Sequence, residues 1–90
     1  MNRPLSSVAL IDALVHWLNA RFGTRDVVIR RDTLLFDDGL INSIRILDII
    51  AWIERAIDRP IPDRDIRMDN FASANRIVAV FATETSDVGA

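Results

Sequence analysis

Few side chains in this chain could do chemistry on their own. There is one histidine, His16, and no cysteine, so the sequence offers neither a catalytic thiol nor a thiolate metal site. A lone histidine beside Trp17 is typical of a packed or solvated side chain rather than of a metal ligand or general base. Asp37 and Asp38 precede a glycine, and loop formation explains them better than paired-carboxylate catalysis. We therefore assign no catalytic residue and no metal ligand, and expect the protein not to be an enzyme.

Ser43 is the polar residue with the most informative position. Asn42 before it is a strong N-cap candidate, so a helix should begin at about Ser43, where unpaired backbone N–H groups and the helix dipole favour an anion. A loop that includes Gly39 leads into this point, which predicts an exposed hydroxyl at a corner between loop and helix. From spacing alone, a serine in this position is most often only part of a cap.

The elements that must position Ser43 are predicted to be helices. The chain has 90 residues, half of them hydrophobic, with three glycines and three prolines, which suits one small all-α domain. We expect a single domain over 1–90, with a structured core over about 5–84 and a flexible C-terminal tail. The formal net charge of -2 and the absence of a Lys/Arg cluster argue against nucleic-acid binding.

Caps and apolar spacing predict three main helices and one short one. The first should be capped by Ser6 or Ser7 and end at Gly23 in a left-handed conformation, with Asn19 among its solvent-facing residues. The second should run from about Ser43 to Ile57, the short one through 62–66, and the last from a Ser73 cap to about Ala82. The inward positions are Leu10, Ile11, Leu14, Val15, Leu18 and Phe22 in the first helix, and Ile77, Val80 and Phe81 in the last.

The long connection over 24–40 is predicted to contain no strand. Its β-prone run at 27–29 is short, and Leu34, Leu35 and Phe36 are expected to anchor the loop on the core.

The second helix carries two apolar strips. The core strip is Ile46, Ile49, Ile50, Ile53 and Ile57. The other strip consists of Ile44, Leu47 and Ala51, and is flanked by Asp48, Arg55, Trp52 and Arg45. We call it the α2 strip, because it lies on the second predicted helix, α2, over about 43–57. A small domain can bury few helices completely, so we interpret the α2 strip as a docking face for a partner. The alternative is that Leu47 or Trp52 packs under the long loop.

Two segments resemble those of a known family. The stretch LFDDGLINSI at 35–44, followed by an apolar helix that ends in WIE at 52–54, closely resembles the attachment segment of acyl and peptidyl carrier proteins. Downstream, IPDRDI at 61–66 and DNFAS at 69–73 look like the family's short third helix and its entry into the fourth. The resemblance spans roughly residues 5–84.

The resemblance implies an acyl-carrier-protein-like four-helix bundle with 4'-phosphopantetheine, taken from coenzyme A, attached to Ser43. Its terminal thiol would carry an acyl or aminoacyl group as a thioester, and the protein itself would catalyse nothing. The partner-recognition residues would be Asn42, Ile44, Leu47, Asp48, Ala51 and Arg55. The implied partners are a phosphopantetheinyl transferase, an acyl- or aminoacyl-activating ligase and downstream acyl-using enzymes.

The chain departs from the family's Asp-Ser-Leu motif at two positions. Asn42 stands in place of the aspartate and Ile44 in place of the leucine, and Arg45 and Arg55 make the second helix less acidic than is common in fatty-acid carriers. Asn caps a helix as well as Asp does, but it lacks the negative charge that a basic transferase surface could use.

A different class of function remains open. The α2 strip together with Trp52 could form a helical protein–protein interaction module without a prosthetic group. The apolar run over 5–18 is interrupted by Asp12 and His16, so for either function we expect a cytoplasmic protein that does not enter the membrane, and a monomer.

Overall fold

The computed structural model describes residues 7–82. Within them the chain forms three α-helices and no strand: α1 is Ser7–Phe22, α2 is Ile46–Ile57 and α3 is Ala74–Phe81. Short 3-10 turns occupy Asp37–Gly39, Ser43–Arg45, Asp63–Asp65 and Met68–Phe71. The all-α prediction is confirmed. Ser6, as a candidate cap, and the predicted C-terminal tail lie outside the described residues.

One apolar core holds the three helices together. Its largest fully buried side chains come from every helix and from the connections between them: Leu14, Leu18, Ile29, Leu35, Ile49, Ile53, Phe71, Ile77 and Val78. The predicted stripes of α1 and α2 supply much of this core. Val78 was not among the predicted inward residues, yet it is more deeply buried than Val80, which is half-buried.

Aromatic contacts mark the packing of the core at two places. The Trp17 and Trp52 rings stack with centroids 5.8 Å apart, joining α1 to α2. On the other side, the Phe71 ring lies 5.1 Å from the Phe81 ring of α3. Trp52 therefore packs on α1.

The end of α1 differs from the prediction in two ways. Gly23 follows the helix, and its N–H donates to the Asn19 carbonyl at 2.9 Å, but its backbone is not in the left-handed region. A Cβ at Gly23 would lie 2.7 Å from that carbonyl oxygen, so the glycine serves a close approach. Asn19 is half-buried rather than turned to solvent.

The Asn19 side chain holds the long connection against α1. Its Nδ2 donates to the Ile29 carbonyl at 2.7 Å and to the Val15 carbonyl at 3.0 Å, and its Oδ1 accepts from the Ile29 N–H at 2.7 Å. These bonds satisfy the backbone of a residue that is 1% exposed. The prediction of a connection without a strand is confirmed for residues 24–40.

The predicted loop anchor is only partly correct. Leu35 is fully buried, and its N–H donates to the Ala72 carbonyl at 2.8 Å, while Phe36 is half-buried. Leu34 is 54% exposed and so does not anchor the loop on the core.

The later elements follow their predicted caps. The Ser73 side chain accepts from the Arg76 N–H at 3.1 Å, so α3 begins at Ala74. The predicted helical turn over 62–66 is present as the 3-10 turn Asp63–Asp65. α2 ends at Ile57, because Asp58 takes the left-handed conformation at φ 57° before Pro60.

Candidate functional site

The corner before α2 is fixed by buried and capped residues on both sides of Ser43. Gly39 has φ 71°, a conformation that glycine adopts without strain, and it closes a 3-10 turn in which the Leu40 N–H donates to the Asp37 carbonyl at 3.1 Å. Ile41 follows; it is 3% exposed and its N–H donates to the Leu35 carbonyl at 3.0 Å. The chain thus enters α2 from an anchored position.

Asn42 is a cap, as predicted, but of the 3-10 turn that leads into α2. Its backbone is extended, and its Oδ1 accepts from the Ile44 N–H at 2.9 Å. The Arg45 N–H donates to the Asn42 carbonyl at 2.8 Å, which starts a 3-10 turn over Ser43–Arg45 that continues directly into α2.

Ser43 lies exposed at this corner. Among the described residues, no group hydrogen-bonds to its hydroxyl, since the capping bond is made by Asn42. A serine required for the cap would accept a backbone N–H, as Ser73 does at the start of α3. The hydroxyl is therefore available to a reagent from outside.

The α2 strip continues from Ser43 along the outer face of the helix. Ile44 is 71% exposed and Leu47 is 65% exposed, and Ala51 and Arg55 are exposed further along. On the opposite face, Ile49 and Ile53 are fully buried. The helix therefore has one core face and one apolar face that the described residues leave uncovered.

A cluster of charges borders the α2 strip on the side of α1. The Asp48 carboxylate lies 3.2 Å from the Arg21 guanidinium of α1 and 3.7 Å from that of Arg45. The same two arginines line a cavity of about 360 Å³ together with Trp17, Ala20 and Phe22. The site therefore combines an exposed hydroxyl, an apolar strip and converging guanidinium groups.

All the residues predicted for this site lie on or beside one surface. Asn42, Ser43, Ile44, Leu47, Ala51 and Arg55 are exposed, and Asp48 is half-buried between its two arginines. The sequence analysis did not single out Arg21. The periodicity of α2 contains no signal for it, since it reaches the site from another helix.

Other kinds of site have little support in the part of the chain that is described. His16 is exposed, and residues 7–82 hold no group of three or more His, Cys, Asp or Glu side chains that could bind a metal ion. None of the helices formed by these residues is long and apolar enough to cross a membrane.

Comparison of the chain with protein-family models, with curated proteins and with solved structures found no match. A function has to be argued from the site itself.

Proposed function

We propose that this protein is a carrier of the acyl- and peptidyl-carrier class, and that Ser43 is the attachment residue for 4'-phosphopantetheine. The observation that carries the proposal is the exposed, unbonded hydroxyl of Ser43 at the head of a helix whose outer face is apolar. The resemblance of residues 35–44 and 61–73 to the carrier family supports the same assignment. The arrangement of the helices is in keeping with a carrier bundle, with the 3-10 turn Asp63–Asp65 in place of the short helix.

The residues around Ser43 are compatible with an attached 4'-phosphopantetheine. Asn42 leaves the Ser43 oxygen free to react, and Ile41 holds the corner so that the hydroxyl faces outward. The Ser43 oxygen would form a phosphodiester with the pantetheine phosphate of coenzyme A, the nucleotide part would leave, and the hydroxyl proton would pass to the transferase. Near the start of a helix, a phosphate is favoured by the helix dipole, and Arg45 lies within the same turn.

When bound, the group supplies a thiol on a long arm, which can hold an acid as a thioester. This chain has no cysteine with which to do so itself. The protein's own part is to present Ser43 and to offer the α2 strip to the enzymes that act there. An arm tethered at a docking surface raises the effective concentration of the cargo at each docked enzyme.

Intact-mass spectrometry tests this proposal. We expect incubation with coenzyme A and a broad-specificity phosphopantetheinyl transferase to add one phosphopantetheine, and peptide mapping to locate it at Ser43. Ser43→Ala should abolish the addition and change the free energy of unfolding by less than about 0.5 kcal/mol, because the side chain is exposed and makes no hydrogen bond.

Ser73→Ala is the matched control. It should accept the group normally but lose about 1 kcal/mol of stability, because Ser73 caps α3. No mass increment with several transferases would favour an interaction module built on the same α2 strip, the second candidate that the exposure of Ile44 and Leu47 supports, or a carrier whose Asn42 requires a dedicated transferase.

A further inference from the structure

We propose that the α2 strip docks protein partners whose contact surface is an apolar patch bordered by carboxylates, with Arg21, Arg45 and Arg55 supplying the complementary charge. The inference rests on the proposed function only in that the docking partners are taken to be the enzymes that act at Ser43. The chemistry of the docking surface follows from the residues around it.

The apolar part of the surface is large for so small a helix. Ile44 and Leu47 are each more than three-fifths exposed, and they lie one turn apart on the same face, with Ala51 in the next turn. Exposed aliphatic side chains aligned along a helix favour an apolar partner surface, because burying them releases ordered water.

On the side of α1, the border of this surface carries more guanidinium groups than carboxylates among the described side chains. Asp48 is shared by two guanidinium groups, those of Arg21 and Arg45, so this cluster carries one excess positive charge. Arg55 is exposed at the far end of the strip, one turn beyond Ala51.

The remaining acids of α2 change this balance little near Ser43. Glu54 is half-buried, and its Oε2 accepts from the Ile61 N–H at 2.8 Å, which turns the carboxylate towards the following segment. Asp58 is exposed after the C-terminal end of α2, where it lines one surface depression with Arg55 and Arg59. Asp37 is exposed in the 3-10 turn that precedes Ser43. On the side of α1, a partner therefore meets guanidinium groups beside the aliphatic side chains of the α2 strip.

The partner class that fits best is a protein rather than a nucleic acid. A phosphate backbone offers nothing for Ile44 and Leu47 to pack against, and the whole chain has a net charge of -2, which repels a polyanion. A carboxylate-bordered apolar surface satisfies both parts of the site at once.

Two designed helical peptides test the proposal. Both carry leucine at positions i, i+3 and i+7, and they differ only in having glutamate or lysine on either side of these leucines. Their binding to protein that has never been exposed to coenzyme A is measured by fluorescence anisotropy. We expect the acidic peptide to bind about tenfold more tightly than the basic one at about 50 mM salt, and this preference to shrink at about 500 mM salt.

A pair of double variants gives the control. Arg45→Glu with Arg55→Glu should remove or reverse the preference for the acidic peptide. Arg31→Glu with Arg76→Glu changes the net charge by the same amount at exposed positions near the start of α3, where the Arg31 carbonyl accepts from the Asn75 N–H, and should leave the preference intact. Circular dichroism checks that each variant is folded.

Three results would overturn the inference: equal binding of the two peptides, the same loss in both double variants, or tighter binding of a DNA duplex than of the acidic peptide. These outcomes are separate from the attachment test, since the peptide assay needs no modification of Ser43. A protein that accepts phosphopantetheine but shows no preference for the acidic peptide would keep the proposed function and lose this inference.

Discussion

At the start of α2, three successive residues have separate physical roles. Ile41 is buried and anchors the loop, Asn42 accepts the Ile44 N–H and caps the helix, and Ser43 is exposed. Because capping is done by the neighbour, the serine hydroxyl is not needed for folding. This division of roles is what makes Ser43 a candidate for modification rather than a structural serine.

Asn19 is a residue whose importance depends on a partner ten positions away in the chain. We expect Asn19→Ala to lower the free energy of unfolding by about 2 kcal/mol, because the N–H and carbonyl of the buried Ile29 lose their partners. Urea unfolding followed by circular dichroism measures the change.

Asn75→Ala serves as the matched control for this prediction. Asn75 is also a half-buried helical asparagine, but in the described structure its side chain makes no hydrogen bond, so the change should stay within about 0.5 kcal/mol. Equal effects of the two substitutions would show that the Asn19 bonds contribute little.

At the scale of the elements, the sequence predicted correctly those features that depend on a few neighbouring residues. The caps Asn42 and Ser73 and the apolar periodicity of α1 and α2 are properties of a few neighbouring residues, and both the caps and the helices are as expected. The exposure of Leu47 followed from the same periodicity.

The predictions were wrong or incomplete for residues whose environment depends on contacts with another element of the chain. Asn19 looked solvent-facing because the loop that binds it is distant in sequence, and Arg21 was not singled out because Asp48 lies on another helix. Leu34 was grouped with Leu35 by composition, although Leu35 is fully buried and Leu34 is 54% exposed. The assignment of Ser43 to a cofactor came from family resemblance, since spacing alone could not distinguish it from a cap.

The two glycines that bound the long connection should respond differently to substitution. At Gly23 both alanine and asparagine should cost about 1–3 kcal/mol, because any Cβ meets the Asn19 carbonyl oxygen at 2.7 Å. At Gly39 nothing lies within 4 Å of a Cβ, and the cost comes from the positive φ. Alanine should therefore cost about 1 kcal/mol there and asparagine less, because asparagine tolerates the left-handed region.

The comparison of alanine with asparagine at each position, by chemical denaturation, distinguishes the two mechanisms. If asparagine were as well tolerated at Gly23 as at Gly39, the close approach at the end of α1 would not be what requires glycine there.

For the whole molecule, the question is whether the three helices unfold as one unit. The core joins α1, α2 and α3 with the connections at Ile29, Leu35 and Phe71, and no helix has a separate apolar cluster among the described residues. The two tryptophans stack between α1 and α2, so their fluorescence reports on that pair, whereas circular dichroism reports on all three helices.

We expect the fluorescence and circular dichroism transitions in urea to coincide, because α3 shares its buried surface with α1 and cannot leave without exposing it. Phe81→Leu alters the contact of α3 with the Phe71 ring, whereas both tryptophans lie in the other two helices. This substitution should lower the fluorescence and dichroism midpoints equally. If the dichroism midpoint fell while the fluorescence midpoint stayed, α3 would be a separable element. The α1–α2 pair, with the 3-10 turn Ser43–Arg45 that leads into α2, would then be the part that folds on its own.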